Sequence, residues 1–391
     1  MGFKETTSLV SMWIKVLTGF VLSKLFKSKG NRRIILTGGN LGEKYEDSIA
    51  VFHQYLLEHY SKTDDIYWLY DPKTTYAKEM GLPNAVPLGT IRNYYLFFCA
   101  DYSFHGHSIM YDITPKANSF LFLNKKTFFV HVSHGIEGFK KILIQKEDVP
   151  LLARTNHFNC ASRYEKKLKR EQWGIPEHKL VVTGFPRFDR YPTNQPADQV
   201  KKILFMTTWR EWLTYLSDEE FEESAYFQHT MELLEHEEIN RLLKAQNVLV
   251  TVALHPFMKK FEQHFREFTN DRIQFVGFDE LSIGKAIQEM DMLLTDITSI
   301  SWDFLYLNKP IIFYLFDQTD WETKRGIYIN LNKELYGYKA QSSDEVYAYL
   351  KEILVEGVNY NKWYSEAHRY FDYFDQNNCE RLTAQVLKES K

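Results

Sequence analysis

The chain has 391 residues, enough for two domains with separate cores. A formal net charge of −3 supplies no global basic field for nucleic acid, and an aromatic content of 16% argues against disorder. The three cysteines, Cys99, Cys160 and Cys379, stand far apart without a CxxC pair, which speaks against a disulfide framework or a zinc site and suits a reducing cytoplasm.

The first thirty residues carry Val10, Trp13, Val16, Leu17, Phe20, Val21 and Leu25 at helical spacing, with Lys15, Lys24, Lys27, Lys29, Arg32 and Arg33 among and after them. Lys15 interrupts an apolar run already short for a membrane span, and no small-residue cleavage site marks a signal peptide. The preferred reading of residues 1–30 is an amphipathic helix on an anionic membrane surface. The alternative is an ordinary helix packed on the domain.

From residue 31 the pattern alternates. Ile34 to Leu36 read as a strand, Gly38-Gly39-Asn40 as a loop and Asp47 to Tyr60 as a helix. "DIYWLYD" reads as a strand, "NYYLFFCADYSFHGH" as a helix and strand, and "KTFFVHVSHGIEGFKKIL" as strand, glycine turn and helix. "FNCASRYEKKLKREQWGIP" repeats that pattern, and "KLVVTGFPRFD" closes the half. The proline-rich "RYPTNQPADQVK" reads as a linker. "KILFMTTWR", "VLVTVALHPF", "RIQFVGF", "DMLLTD" and "PIIFYLFD" are then strands, with helices between them. Two α/β halves of this kind predict parallel, doubly wound sheets. Residues 31–190 form the first, 191–200 the linker and 201–391 the second, with a C-terminal helix placed to pack back on the first domain. Ligands of such sheets lie beyond the strand carboxyl ends, so a cleft between the domains is expected, lined by polar residues from those ends.

Several of these residues are chemically suggestive. His134 ends an apolar strand and can serve as a general base, or as a structural histidine bonded to a backbone carbonyl. Gly135 allows a close backbone approach, Glu137 can cap the helix expected there, and Lys140 and Lys141 would lie one turn in. His255 ends another strand, where it can donate to a phosphate or simply cap. Arg187 and Arg210 follow strands and suit phosphate oxygens, or a surface ion pair. Thr298 and Ser299 lie where a helix should start, beside unpaired N–H groups that bind anions or that the residues merely cap. Asp303 lies one turn further in and should face a hydroxyl or a basic group. Asp296 reads as structural.

These segments, in order, resemble the CDP-glycerol glycerophosphotransferase family, whose members build teichoic acids and related phosphopolyol polymers. "LLTDITSISWDFLYLNKPIIFY" and the later Arg325-Gly326 are similar to the family's T-D-Y-S-S-x-x-x-D, K-P-I-I-F and R-G. "SHGIEGFKKI" is similar to H-G-T-P-x-K-K, "GFPRFD" to G-x-P-R-x-D and "TTWR" to P-T-W-R, and "LHPF" to the family's histidine-bearing strand end. The resemblance implies a GT-B fold with a CDP-polyol held mainly by the C-terminal domain. His134 would be the base that activates an acceptor hydroxyl, and His255 a contact to the pyrophosphate. Arg187, Thr207, Thr208, Arg210, Thr298, Ser299, Asp303 and Arg325 would line the donor side, with Gly135, Lys140 and Lys141 beside the base. The acceptor hydroxyl would attack the phosphate bearing the polyol, and CMP would leave. Such transfer needs positioning and charge neutralisation, so no cofactor is required; Mg2+ is the one candidate cation. Implied partners are CDP-glycerol or CDP-ribitol, a lipid-linked saccharide and an anionic membrane at the cytoplasmic face, with no nucleic acid. Ile136 and Glu137 depart from the family's Thr-Pro, Ile297 from its Tyr and Thr298 from its first Ser, which leaves polyol and acceptor open. A sugar-nucleotide glycosyltransferase and a non-catalytic binding partner are the competing readings; fold alone does not decide among them.

Overall fold

The computed structural model describes residues 3–26, 32–192, 199–266, 268–277 and 280–387. Two compact units emerge. The first comprises Met1–Ile136, Leu143–Arg190 and Asp372–Lys391, the second Glu137–Ile142 and Tyr191–Phe371. Most of the proline-rich linker, 193–198, lies outside the described residues.

The first unit holds a seven-stranded sheet of β1 (Arg33–Gly38), β2 (Asp64–Tyr70), β3 (Ala85–Pro87), β4 (Tyr102–His105), β5 (Phe128–His131), β6 (His157–Cys160) and β7 (Leu180–Val182). Their order is β3-β2-β1-β4-β5-β6-β7, and every pairing is parallel. Parallel sheets are covered on both faces, which explains the unbroken apolar runs. Ile34 and Leu36 enter one core with Phe97, Phe120 and Phe129. Ile35 enters the other with Phe52, Trp68, Phe104 and Val130, closed by Cys379, Leu382 and Val386 of the helix Asn378–Val386.

Helix α1 (Phe3–Leu25) packs on the first core along one face. Val16 is fully buried, Trp13 meets the edge of Phe120, Phe20 meets Phe98, and Gly19 lies so close to Tyr94 that an added Cβ would fall 2.7 Å from its Cβ. The opposite face is also apolar: Val10, Ile14, Leu17, Val21 and Leu25 are exposed. The helix is therefore docked on the domain and still presents an open apolar stripe, a combination that neither reading of its sequence contained. Among the described residues no helix is long and apolar enough to cross a membrane.

The second unit holds β8 (Lys202–Met206), β9 (Leu249–Ala253), β10 (Ile273–Val276), β11 (Met292–Thr295), β12 (Ile311–Tyr314) and β13 (Tyr338–Ala340), all parallel in the order β10-β9-β8-β11-β12-β13. The short edge strands β3 and β13 escaped the sequence reading.

The helix expected after His134 is not formed. Residues 137–142 run irregularly and belong to the second unit. Gly138 lies flat on Trp302, where a Cβ would fall 2.4 Å from the indole ring, and Phe139 packs on Trp302, Phe313 and Tyr336. The backbone of this segment pairs with residues 326–328 instead of with itself. The Tyr328 N–H donates to Phe139 O (2.7 Å), and the Lys141 N–H donates to Gly326 O (3.1 Å). Aromatic burial and these bonds outweigh local helix preference, so no helix starts at Glu137, and Lys140 and Lys141 are not on a helix.

Candidate active site

In the first unit, polar groups gather beyond the carboxyl ends of β1, β4 and β5. The chain after β1 turns through Asn40, Leu41 and Gly42, all at positive φ. Gly38 is required there, because a Cβ would fall 2.0 Å from the Asp112 carbonyl oxygen. Asp112 ties the turn down. Its buried carboxylate accepts from the N–H groups of Leu41 (3.1 Å), His107 (2.5 Å) and Ser108 (3.2 Å). The His107 ring stacks on that of His134 with centroids 4.1 Å apart and planes at 11°. His107 Nδ1 is 3.8 Å from Asp112 Oδ2.

Arg187 completes this group. Its guanidinium donates to Asp47 Oδ1 (2.7 Å) and to the His134 carbonyl (2.8 Å). Asp47 and Ser133 adopt positive φ, 69° and 71°. Left-handed non-glycine residues carry strain and concentrate at functional sites. His134 keeps a solvent-accessible ring in a crowded setting. The surrounding protein, then His107, and also the Arg187 charge, push its pKa down to about 3, so the imidazole is a neutral proton acceptor at pH 7. Behind it, His105 and His131 are buried and face each other at 5.4 Å; burial lowers His105 to about 4 and holds His131 well below the ordinary range.

In the second unit the carboxyl ends of β8, β9 and β11 meet the segment 137–142 and the Arg325 loop. His255 caps the turn Pro256–Phe261 by accepting the Phe257 N–H (3.4 Å) and lies parallel to Trp209 at 6.2 Å. Burial and the neighbouring Lys140 charge lower it to about 4. Lys140 is itself lowered by burial, with Arg325 pressing the same way against the opposing charges of Asp296, Glu137 and Glu211. Arg325 Nε approaches Glu211 Oε1 at 3.4 Å. Lys140 and Arg325, with the neutral His255 beside Lys140 and the carboxylates of Asp296, Glu137 and Glu211 opposing them, thus belong to one local field.

Several expected donor contacts are placed differently. Arg210 is fully buried and faces inward. It donates to both carboxylate oxygens of Asp317 (2.9 and 3.0 Å), to the Asp296 carboxylate and to Thr208 O (2.6 Å), and it lies over the rings of Tyr226, Phe316 and Trp321. Burial by itself would lower its pKa, but the two carboxylates raise it above the ordinary value. It is a core cation, neither a phosphate ligand nor a surface ion pair. Thr208 donates from N–H and Oγ1 to Asp296 (2.9 and 2.7 Å), and the Thr207 hydroxyl bonds the Tyr226 hydroxyl (2.6 Å). Asp303 is buried and accepts from the Tyr191 hydroxyl (2.6 Å), a hydroxyl of the protein itself. Thr298 and Ser299 form a turn ahead of the helix Ser301–Tyr306, whose N-cap is Ile300. Ser299 is exposed, and the Thr298 carbonyl accepts the Ser301 hydroxyl (2.6 Å). Arg187 belongs to the first unit with His134, apart from the donor-side residues it was grouped with. Gly135 is buried and accepts the Ser133 hydroxyl (2.9 Å), and Lys141 is exposed.

The sequence reading passed over His107, Asp112, Asp47, Glu211 and Asp317. The string Ser-Phe-His-Gly-His could have exposed the first of these, since His107 lies just beyond a strand as His134 does. The others are defined only by who lies opposite them.

Two Rossmann-like units with polar strand ends, one bearing His134 and the other Lys140, His255 and Arg325, define a two-domain α/β architecture of the GT-B kind. The chain belongs to the CDP-Glycerol:Poly(glycerophosphate) glycerophosphotransferase family, whose model matches residues 20–388. It is 26% identical over 287 residues to the teichoic acid poly(ribitol-phosphate) polymerase of Bacillus spizizenii, covering 68% of this chain and 44% of that protein. It is 25% identical over 320 residues to the teichoic acid glycerol-phosphate primase of Bacillus subtilis, covering 76% of each. The chain spans 44%, 34% and 64% of the lengths of three larger curated relatives. In three dimensions it is similar to the wall teichoic acid polymerase TagF, a variant of which was soaked with CDPG, at a TM-score of 0.69 and 15% identity over 99% of this chain and 98% of that one. The Staphylococcus aureus MnaA–UDP structure has the same kind of fold at a TM-score of 0.54 and 14% identity, covering 91% of this chain and 96% of that one.

Proposed function

We propose that the protein transfers a polyol phosphate, glycerol phosphate or ribitol phosphate, from its CDP conjugate to a hydroxyl of a lipid-linked saccharide, releasing CMP. The observation that carries this reading is the exposed His134, its backbone carbonyl held by Arg187 and its ring stacked on His107, in a chain of this family. His134 accepts the acceptor proton as the oxygen attacks phosphorus. The stacked His107 ring holds the imidazole, Arg187 holds the His134 backbone through its carbonyl, and Asp47 offsets the charge of Arg187. In the second unit Lys140 and Arg325 neutralise the charge that grows on the departing CMP, the neutral His255 offers it a hydrogen bond, and Thr298 and Ser299 are offered to the pyrophosphate. Lys140, depressed when empty, gains a counter-charge when the donor binds, so its protonated form is favoured then.

The same reading places the protein peripherally on an anionic membrane at the cytoplasmic face. What supports this is the apolar stripe of α1 together with Lys15 and Lys24, in a stretch from 9 to 26 that contains no Asp or Glu.

The test is release of CMP from CDP-glycerol and CDP-ribitol with a lipid-linked disaccharide, with UDP-sugars as the control panel. His134→Ala should lose at least about a hundredfold in turnover, the usual worth of a general base, while circular dichroism and donor affinity are unchanged. Full activity of His134→Ala, or UDP release in place of CMP, would sink the proposal.

A further inference from the structure

Beside the apolar stripe of α1 the first unit has a notch of about 280 Å³ lined by Phe20, Ser23, Lys24, Phe98, Cys99, Leu123, Asn124 and three lysines in all, the others being Lys125 and Lys126. Its floor is apolar and its rim cationic. Lys24 sits on the flank of α1 between the exposed stripe and the buried Phe20 face, its ammonium 5.1 Å from the Phe20 ring. Lys125 and Lys126 follow the turn Leu121–Leu123, from which Phe122 projects with 68% of its surface exposed. Lys126 is 2.6 Å from Asp101, which neutralises one of the three charges, so the rim keeps a net excess of two. Phe122, the stripe and the Lys24 and Lys125 side chains are exposed parts of one unit.

We propose that this notch is a headgroup site: it takes the phosphodiester of one anionic bilayer lipid while the α1 stripe and Phe122 enter the acyl boundary. This rests on the membrane reading above and adds a discrete site to it. The chemistry fits because a phosphodiester at the interface is an anion lying directly above apolar chains. The notch reproduces that arrangement from the protein side, with cations at the rim and aromatic and aliphatic groups beside and beneath. A protein partner would call for shaped polar pairing along the stripe, and residues 9–26 offer only Ser11, Lys15, Thr18, Ser23 and Lys24, all off the stripe, and no acid. The site would fix how deep and in which rotation the unit sits on the bilayer.

The experiment is co-sedimentation of the full chain with vesicles of phosphatidylcholine alone and of phosphatidylcholine doped with increasing phosphatidylglycerol. Wild type should bind both, with the gain from phosphatidylglycerol rising as the first power of its fraction, as one headgroup per protein requires. Lys24→Gln with Lys125→Gln should remove that gain, about tenfold at physiological salt given roughly 1 kcal/mol per surface lysine less screening, and leave binding to phosphatidylcholine alone unchanged. Lys78→Gln with Lys116→Gln removes the same charge from exposed positions outside α1 and should retain the gain. Leu17→Asp with Val21→Asp should abolish binding to both vesicles. Equal losses in the two lysine pairs, or a steep higher-power dependence on phosphatidylglycerol, would overturn the notch and leave the membrane reading standing. No binding of wild type to either vesicle would overturn both.

Discussion

Replacing Arg210 with methionine separates the two roles that its position in the chain permits. The side chain is fully buried between Asp296 and Asp317, with three aromatic rings around the guanidinium. Methionine fills part of the volume but leaves two carboxylates without their cation. Breaking a buried ion network by removing one partner costs about 3–5 kcal/mol, because the survivors stay desolvated and unpaired. That is a large fraction of the roughly 5–15 kcal/mol by which a typical domain is stable. The assay is denaturant unfolding followed by tryptophan fluorescence. Five of the eight tryptophans, Trp209, Trp212, Trp302, Trp321 and Trp363, lie in the second unit, so the signal reports mainly that unit. Arg210→Met should shift its midpoint strongly downward, and adding Asp317→Asn with Asp296→Asn should restore part of the loss, since the charges then leave together. If Arg210→Met unfolds at the wild-type midpoint and only weakens CDP-glycerol binding, the buried-network assignment is wrong and the arginine is a ligand.

Two further outcomes follow from local geometry. Gly38→Ala should destabilise the first unit by about 1–3 kcal/mol, because its Cβ would lie 2.0 Å from a backbone oxygen that cannot move cheaply. Gly284→Ala, in the helix Ile283–Glu289 with open space around it, should stabilise by about 0.5–1 kcal/mol; thermal melts of both variants check the pair, and a Gly38→Ala melt at wild-type temperature would refute the close approach. Acid should weaken the fold well before the carboxylates titrate. Burial depresses the imidazoles of His53 to about 3 and His105 to about 4, so the unfolded chain binds more protons below about 6.5. The stability they contribute is whole above that value and lost as pH falls from it toward their folded values, about 1.4 kcal/mol per group for each pH unit. Denaturant midpoints at pH 7 and pH 5 measure this, and equal midpoints would contradict it.

The alternation of strands and helices and the position of both histidines just beyond strand ends were legible in the residues, because apolar periodicity and turn chemistry are local. So was the family, through short motifs kept in order. The helix expected over 137–142 was not legible as absent. Gly138 is small enough to lie on Trp302, and Trp302 is far away in sequence. The same limit governed Arg210. An arginine after a strand looks like a phosphate ligand until Asp296 and Asp317 are brought against it from 86 and 107 residues away. His107 could be read as a residue beyond a strand, but its stacking on His134 could not, because that partner approaches through space. By itself, then, the sequence determined most of the strands and helices and which residues are available for chemistry near their ends. Only the tertiary structure decided which of those residues turn inward to satisfy buried charge and which remain for a substrate, because burial and partnership depend on groups that approach through space.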